Sequence, residues 1–120
     1  MNERKRVGEE LISLLIEIND KQVIVEGKRD KKALYLLHFK RIITIKKDIY
    51  ETVDQLEEKE VLILTDFDSE GKQIAVKLNL FLQSLDFKVD HETRRKIELL
   101  FSRLQIKKIE ELRGVLKWVN

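Results

Sequence analysis

Two short stretches of the chain place acidic side chains where they could hold a metal ion. Glu26 is followed by Gly27, directly after an apolar, β-branched run. Asp66 and Asp68 follow a second apolar run and lie two residues apart, so an extended backbone would point their carboxylates the same way. Carboxylates gathered in a partly dry cleft repel one another unless a cation is present. The pattern predicts a site for Mg²⁺, with Mn²⁺ as a substitute, because one or two carboxylates and a phosphate oxygen suit this ion.

Glycines and basic residues accompany these acids. Gly27 lies at a strand-to-helix turn, and Gly71 falls in the first turn of a helix, where glycine is unfavourable on propensity alone. Both glycines could allow close approach of a phosphate or a neighbouring chain, and the helix amino termini beside them favour an anion. The residues expected to contact phosphate or nucleic acid are Gly27, Lys28, Arg29, Lys31, Lys32, Gly71 and Lys72.

The charge distribution indicates a polyanionic partner. The net charge is only +2, but residues 28–47 carry eight basic residues against the single acid Asp30. A local surplus of this size suits nucleic acid, either RNA or DNA. A solvated helix face followed by a basic loop is the alternative interpretation of this stretch. Arg94, Arg95 and Lys96 form a second basic cluster, which we expect to be a solvated face.

The elements that must position these residues alternate between strand and helix. Apolar residues at helical spacing predict helices, and short β-branched runs predict strands. An acid or serine that precedes a helical pattern is a candidate helix cap, which is the structural alternative for Asp30 and Asp68. The predicted strands lie at 23–25, 42–45, 61–64 and 87–89, and the predicted helices at 3–18, 30–37, 49–58, 69–85 and 92–118.

Buried strands that alternate with helices predict a parallel sheet covered on both sides. The expected fold class is α/β, with a Rossmann-like parallel four-stranded sheet flanked by helices and extra N- and C-terminal helices. In such sheets, ligands bind at the carboxyl ends of strands near a topological switch point. Glu26 ends the first strand, and Asp66 and Asp68 end the third, so the three carboxylates meet if these strands are neighbours.

The composition bounds the class of protein. The 120 residues fit one domain, expected over 1–120 with a motif-bearing core at about 21–90. No apolar run approaches the ~20 residues of a membrane-spanning helix, and the charged N-terminus lacks the apolar core of a secretory signal. Cysteine is absent, which excludes disulfides and thiolate metal sites. We therefore expect a soluble cytoplasmic protein without membrane association.

The two acidic stretches resemble the two signature motifs of the Toprim family. They read V-I-V-E-G-K-R-D (23–30) and L-I-L-T-D-F-D-S-E-G (62–71), in the family's order and at similar spacing. The family includes topoisomerases, bacterial-type primases, nucleases and a small ribonuclease that matures ribosomal RNA. The resemblance implies that Glu26 acts as general acid/base or shares the metal, and that Asp66 and Asp68 coordinate Mg²⁺.

Within the family, the spacing of Lys28 and Asp30 most resembles the ribonuclease-like and small archaeal stand-alone Toprim proteins. Topoisomerases need a tyrosine nucleophile on a separate domain, and the only tyrosines, Tyr35 and Tyr50, are expected to pack in the core. Primases need a further catalytic region that does not fit this chain. The resemblance thus implies Mg²⁺-dependent phosphoryl transfer on nucleic acid, with a small nuclease as the leading hypothesis.

Three other functions stay open from the residues. The first is a non-catalytic, metal-dependent nucleic-acid-binding module that acts with a protein partner or as a homo-oligomer. The second is a haloacid-dehalogenase-like phosphatase, whose nucleophile motif resembles residues 66–69 but normally lies near the start of its domain. The third is a response-regulator receiver, which would need an acid pair after the first strand that is not evident here.

Overall fold

A four-stranded parallel sheet forms the centre of the protein, seen in a computed structural model that describes residues 2–119. The α/β class and the parallel four-stranded sheet expected from the sequence are confirmed. The strands are β1 (Val23–Val25), β2 (Ile42–Thr44), β3 (Glu60–Ile63) and β4 (Lys88–Val89), in the spatial order β2-β1-β3-β4.

The strand order makes β1 and β3 neighbours. Ile24 of β1 is in register with Ile63 of β3, and Ile43 of β2 pairs with Ile24 from the other side. The chain leaves β1 toward β2 and then crosses back to β3, so a topological switch point lies between β1 and β3. This is the place where α/β sheets bind ligands, and it is where Glu26 and Asp66 leave their strands.

Helices cover both faces of the sheet. The helix that begins at Glu3 ends at Glu17, one residue before its expected end at 18. The helix that begins at Ile49 ends at Asp54, four residues before its expected end at 58. The expected C-terminal helical segment is broken, because Gln105 adopts a left-handed backbone conformation (φ 57°) that ends a helix there. The helices are α1 (Glu3–Glu17), α2 (Lys28–Tyr35), α3 (Ile49–Asp54), α4 (Ser69–Ser84), α5 (His91–Leu104) and α6 (Leu112–Val119), with a 3₁₀ turn at Ile109–Glu111.

Alternation along the strands divides the apolar residues into two cores, one on each face of the sheet. Val23 and Val25 point to one face, where α1, α2, α5 and α6 pack, and Ile24 points to the other, where α3 and α4 pack. The larger core includes Leu112 and Val115 of α6, so the end of the chain is part of the same packed body as β1. Among residues 2–119, no helix is long and apolar enough to cross a membrane.

Candidate metal and nucleic-acid site

The ends of β1 and β3 are tied together by the side chain of Glu26. Its Oε2 accepts a hydrogen bond of 2.8 Å from the backbone N–H of Asp66. The parallel register of β1 and β3 sets this contact, because Glu26 leaves β1 beside the segment that carries Asp66 out of β3. The structure therefore brings the first acid against the backbone of the second, although they are forty residues apart in the chain.

Asp66 is held by a part of the chain that the motifs do not indicate. Its Oδ1 accepts a hydrogen bond of 2.8 Å from the backbone N–H of Ile109. In addition, the N–H of Phe67 donates to the carbonyl of Lys107 at 2.7 Å. The turn that begins after α5 is thus bonded to Asp66 and Phe67, the third and fourth residues after β3. Sequence reasoning missed this contact, since no residue type in 105–111 indicates that its backbone would be used.

Asp68 serves a structural role as the N-cap of α4. Its Oδ1 accepts a hydrogen bond of 2.8 Å from the backbone N–H of Gly71, which satisfies one of the free donors of the first helical turn. Asp66 and Asp68 therefore direct one oxygen each to different partners.

Gly71 is required by a close approach of two backbone segments. A Cβ on this residue would lie 2.1 Å from the carbonyl oxygen of Asp66. The Thr65 hydroxyl also donates to the Gly71 carbonyl at 2.7 Å. The glycine is therefore explained by the close approach of the Asp66 backbone, which is a neighbouring segment of the same chain. At Gly27, by contrast, a Cβ would meet nothing within 4 Å.

Burial and mutual repulsion disturb the acids at this site. Desolvation raises the pKa of Glu26, the hydrogen bond from Asp66 opposes that rise, and the charges of Asp66, Asp68 and Glu70 add to it. Desolvation likewise raises the pKa of Asp66; the Ile109 N–H lowers it, while the charge of Asp68 raises it further. Negative charge is therefore concentrated here beyond what the nearby donors balance, and a cation would relieve it.

Asp30 is a further member of this acidic group, although the sequence analysis treated it as a helix cap and a motif residue and not as part of the site. The N-cap of α2 is instead Gly27, whose N–H donates to Asp30 Oδ2 at 3.2 Å. The side chain is buried (6% exposed), and desolvation, followed by the charge of Asp66, raises the pKa of Asp30 to about 6. Its signal in the sequence was its position three residues after the strand-end glycine, where a carboxylate turns back toward the helix start.

The free carboxylate oxygens of the site fit a Mg²⁺ ion that is bound by only a few protein ligands. Within residues 2–119, Glu26 Oε1 and Asp66 Oδ2 accept no hydrogen bond. Neither of these two oxygen atoms is fully buried. Both are therefore free to serve as hard oxygen ligands. No group of three or more His, Cys, Asp or Glu side chains in the described part of the chain is arranged to hold a metal ion. Mg²⁺ commonly uses only one or two carboxylates together with waters and substrate phosphate.

Arg94 hydrogen-bonds to the backbone that carries Asp66, whereas we expected it to lie on a solvated face. Its guanidinium donates to the carbonyls of Ile63 at 2.9 Å and Thr65 at 3.0 Å, and more weakly to Asp66 at 3.4 Å. It also lies 4.5 Å from the ring centre of Phe67. These carbonyls lie at and beyond the end of β3, and a planar five-donor group can satisfy several at once. The expectation for Arg94 was wrong because a cluster of basic letters does not show which member turns inward.

The five basic residues among the predicted phosphate-binding residues lie on two different helices. Lys28, Arg29, Lys31 and Lys32 are exposed on α2, beside the acidic site. Lys72, on α4, forms a salt bridge of 3.2 Å with Glu98 of α5.

The expectation that both tyrosines pack in the core was wrong. Tyr35 is 68% exposed and Tyr50 is 62% exposed. Neither side chain is therefore buried among the apolar residues of the two cores.

The sheet order and the acids at its switch point define the class of protein. The Toprim domain model matches residues 21–104, so the chain belongs to the Toprim family. Its relatives include small archaeal UPF0292 proteins. One from Pyrococcus abyssi is 37% identical over 113 residues, covering 92% of this chain and 84% of its own. Another, from Methanocaldococcus jannaschii, is 36% identical over 113 residues, covering 90% and 88%.

A solved structure shares the fold. A protein from Aquifex aeolicus is similar with a TM-score of 0.71 and 34% sequence identity, over 86% of this chain and 95% of that chain. The match spans nearly the whole of both chains, so it includes more than the two acidic motifs.

Proposed function

We propose that this chain is a small Mg²⁺-dependent nuclease that hydrolyses phosphodiester bonds in nucleic acid. The Toprim family membership supports a metal-dependent role connected with nucleic acid. The observation that carries the finer proposal is the pairing of Glu26 with Asp66, each with one oxygen fixed by a backbone N–H and one that accepts no hydrogen bond within residues 2–119.

The residues of the site would divide the work as follows. Asp66 and Asp68 would hold the metal, with Glu26 as a shared ligand or as general acid/base, and the Oδ1 of Asp68 would also keep the turn in place through its cap of α4. Bound Mg²⁺ would polarise the phosphoryl group and position the nucleophile. Burial raises the pKa of Glu26 in the metal-free site, which would suit the general acid/base role, whereas a bound cation would lower this pKa and keep Glu26 ionised as a ligand. Lys28 and the other cations of α2 would hold the phosphates of the strand.

The test is cleavage of labelled RNA and DNA with Mg²⁺ or Mn²⁺. Asp66→Asn keeps an oxygen for the Ile109 N–H but removes the charge, and Glu26→Gln does the same for the Asp66 N–H. We expect each to lower the cleavage rate about 100-fold or more, the usual scale for a lost catalytic carboxylate. Asp54→Asn, at an exposed position on α3, is the matched control and should cleave as the unaltered protein does. Equal rates in Asp66→Asn and the control would contradict the proposed site.

A second candidate is a binding module without turnover that acts with a partner chain or as a homo-oligomer. It is favoured by one observation: the exposed cations of α2, Lys28, Arg29, Lys31 and Lys32, could hold nucleic acid without any chemistry at the acids. Metal-dependent binding of nucleic acid without cleavage of any tested substrate would support this alternative. An aryl phosphate in the same assay tests the phosphatase alternative. Hydrolysis of this compound by the unaltered protein and its loss in Asp66→Asn would indicate a phosphatase.

A further inference from the structure

The outer face of α2 presents an exposed aromatic ring among basic side chains. Tyr35 is 68% exposed, and its neighbour Leu36 is 52% exposed. Both line a depression of about 470 Å³, and both also line an adjoining depression of about 630 Å³ that extends to His38 and Lys40. We call this region the α2 surface; the smaller depression is lined by Lys28, Lys31, Lys32, Tyr35, Leu36 and Arg113.

The ring of Tyr35 has no aromatic or cationic partner in the described part of the chain. The other exposed tyrosine differs, because Tyr50 packs edge-on against Phe81 with ring centres 5.3 Å apart. A large aromatic face left open to water is the form of a stacking platform.

The charges around Tyr35 favour a polyanion. Within residues 2–119, none of Lys28, Lys31, Lys32 and Arg113 forms a salt bridge. No acidic residue lines either depression. The one acid of α2, Asp30, is buried and hydrogen-bonded to Gly27 at the helix start. Unpaired cations beside an open ring match a ligand that carries phosphates and flat bases.

We propose that the α2 surface binds single-stranded nucleic acid, with one base stacked on Tyr35 and the adjoining phosphates on Lys28, Lys31, Lys32 and Arg113. Bases within a duplex already stack on their neighbours, so an aromatic ring on the surface of a protein can engage only an unpaired base. This inference rests on the proposed function, because it names single-stranded nucleic acid as the substrate class of the proposed nuclease.

The position of the ring suits delivery to the acidic site. α2 starts beside Gly27, next to Glu26, and Tyr35 is its last residue. At 1.5 Å per residue, the helix places Tyr35 about 10 Å from Lys28 along the axis. A strand stacked on Tyr35 and laid along the lysines would therefore run toward Glu26 and Asp66.

Binding of fluorescent oligonucleotides in EDTA tests the proposal independently of catalysis. Tyr35→Ala should weaken binding of single-stranded RNA or DNA by roughly 5- to 150-fold, the range measured for loss of one base–aromatic stack. Tyr35→Phe keeps the ring and should bind like the unaltered protein. Tyr50→Ala is the matched control, since it removes a tyrosine of similar exposure from another part of the surface. Lys31→Ala should flatten the salt dependence by about 0.7 in the logarithmic slope, as expected for one lost phosphate contact on a single strand.

Several results would overturn the inference. These are equal binding by Tyr35→Ala and Tyr50→Ala, tighter binding of a duplex than of its single strands, or no binding of any oligonucleotide. Polyglutamate of matched charge that competes as well as a single strand would instead indicate an acidic protein partner. Because no metal is present, a failure here leaves the cleavage test of Asp66→Asn standing, and a failure of cleavage leaves this binding test standing.

Discussion

Replacing Gly71 with alanine should damage the turn that carries Asp66 and Asp68. The added Cβ would lie 2.1 Å from the carbonyl oxygen of Asp66, whereas ordinary contacts begin at 3.4 Å. One backbone segment must therefore move by about 1.3 Å. The atom in the way belongs to the backbone, so a side-chain rotation cannot relieve the clash.

The cost follows from the contacts that this movement breaks. Forcing a methyl group into a packed site costs roughly 1–3 kcal/mol. The hydrogen bonds from the Gly71 N–H to Asp68 and from Thr65 to the Gly71 carbonyl would each contribute about 1 kcal/mol when lost. Alanine in a helix returns about 1 kcal/mol relative to glycine. The free energy of unfolding should thus fall by about 2–4 kcal/mol, a large share of the ~5–15 kcal/mol typical of a domain.

Urea unfolding followed by circular dichroism measures this change. Gly114→Ala is the matched control, because Gly114 lies in α6 and a Cβ there would meet nothing within 4 Å. It should leave the protein equally stable or up to about 1 kcal/mol more stable. Gly27→Ala is a second control, beside the acidic site, with the same open space. If Gly71→Ala unfolds at the same urea concentration as these controls, the close approach of Gly71 to Asp66 is refuted.

Two further predictions concern the charges under the site. The pKa of Asp30 is raised to about 6 from 3.8, so its ionised form destabilises the fold above pH 6 and this penalty disappears as the pH falls below 4. In EDTA, Asp30→Asn should therefore be more stable than the unaltered protein at pH 8, by roughly 1–3 kcal/mol, and equally stable below pH 4; a gain independent of pH would contradict the assigned cause. Arg94→Lys keeps the charge but loses the second nitrogen that donates to the Asp66 carbonyl and the planar group that lies over the Phe67 ring, so thermal unfolding should show a loss of roughly 1–3 kcal/mol. Unchanged stability of this variant would show that only the charge of Arg94 matters.

The sheet could be predicted because β1, β2 and β3 are short runs rich in β-branched residues between helical patterns, whereas β4 gives a weaker signal. The three residues 23–25 form β1 as expected, and the acids that follow β1 and β3 reach the same edge through strand order alone. Helix ends were less accurate, since Leu56 continues the helical pattern while α3 ends at Asp54. Its side chain still packs on the sheet from the turn that follows.

The supporting contacts of the site could not be predicted from the sequence. Ile109 contributes only its backbone N–H to Asp66, and any residue except proline offers that donor. Arg94 differs from Arg95 only in which way it faces on α5, and that direction depends on how the helix is rotated against β3. The exposure of Tyr35 was missed for the same reason, because it depends on which side of α2 the sheet covers.

The turn after α5 also bears on how far this protein can be trimmed. A version cut to the matched segment, 21–104, would keep every strand and both acidic motifs. It would nevertheless lack the amide that fixes Asp66 and the carbonyl that receives Phe67, and it would strip α6 from the larger core. Anyone moving this segment into another protein should carry the chain through Val119, since the loop that contains Asp66 and Phe67 is held by residues beyond the matched segment.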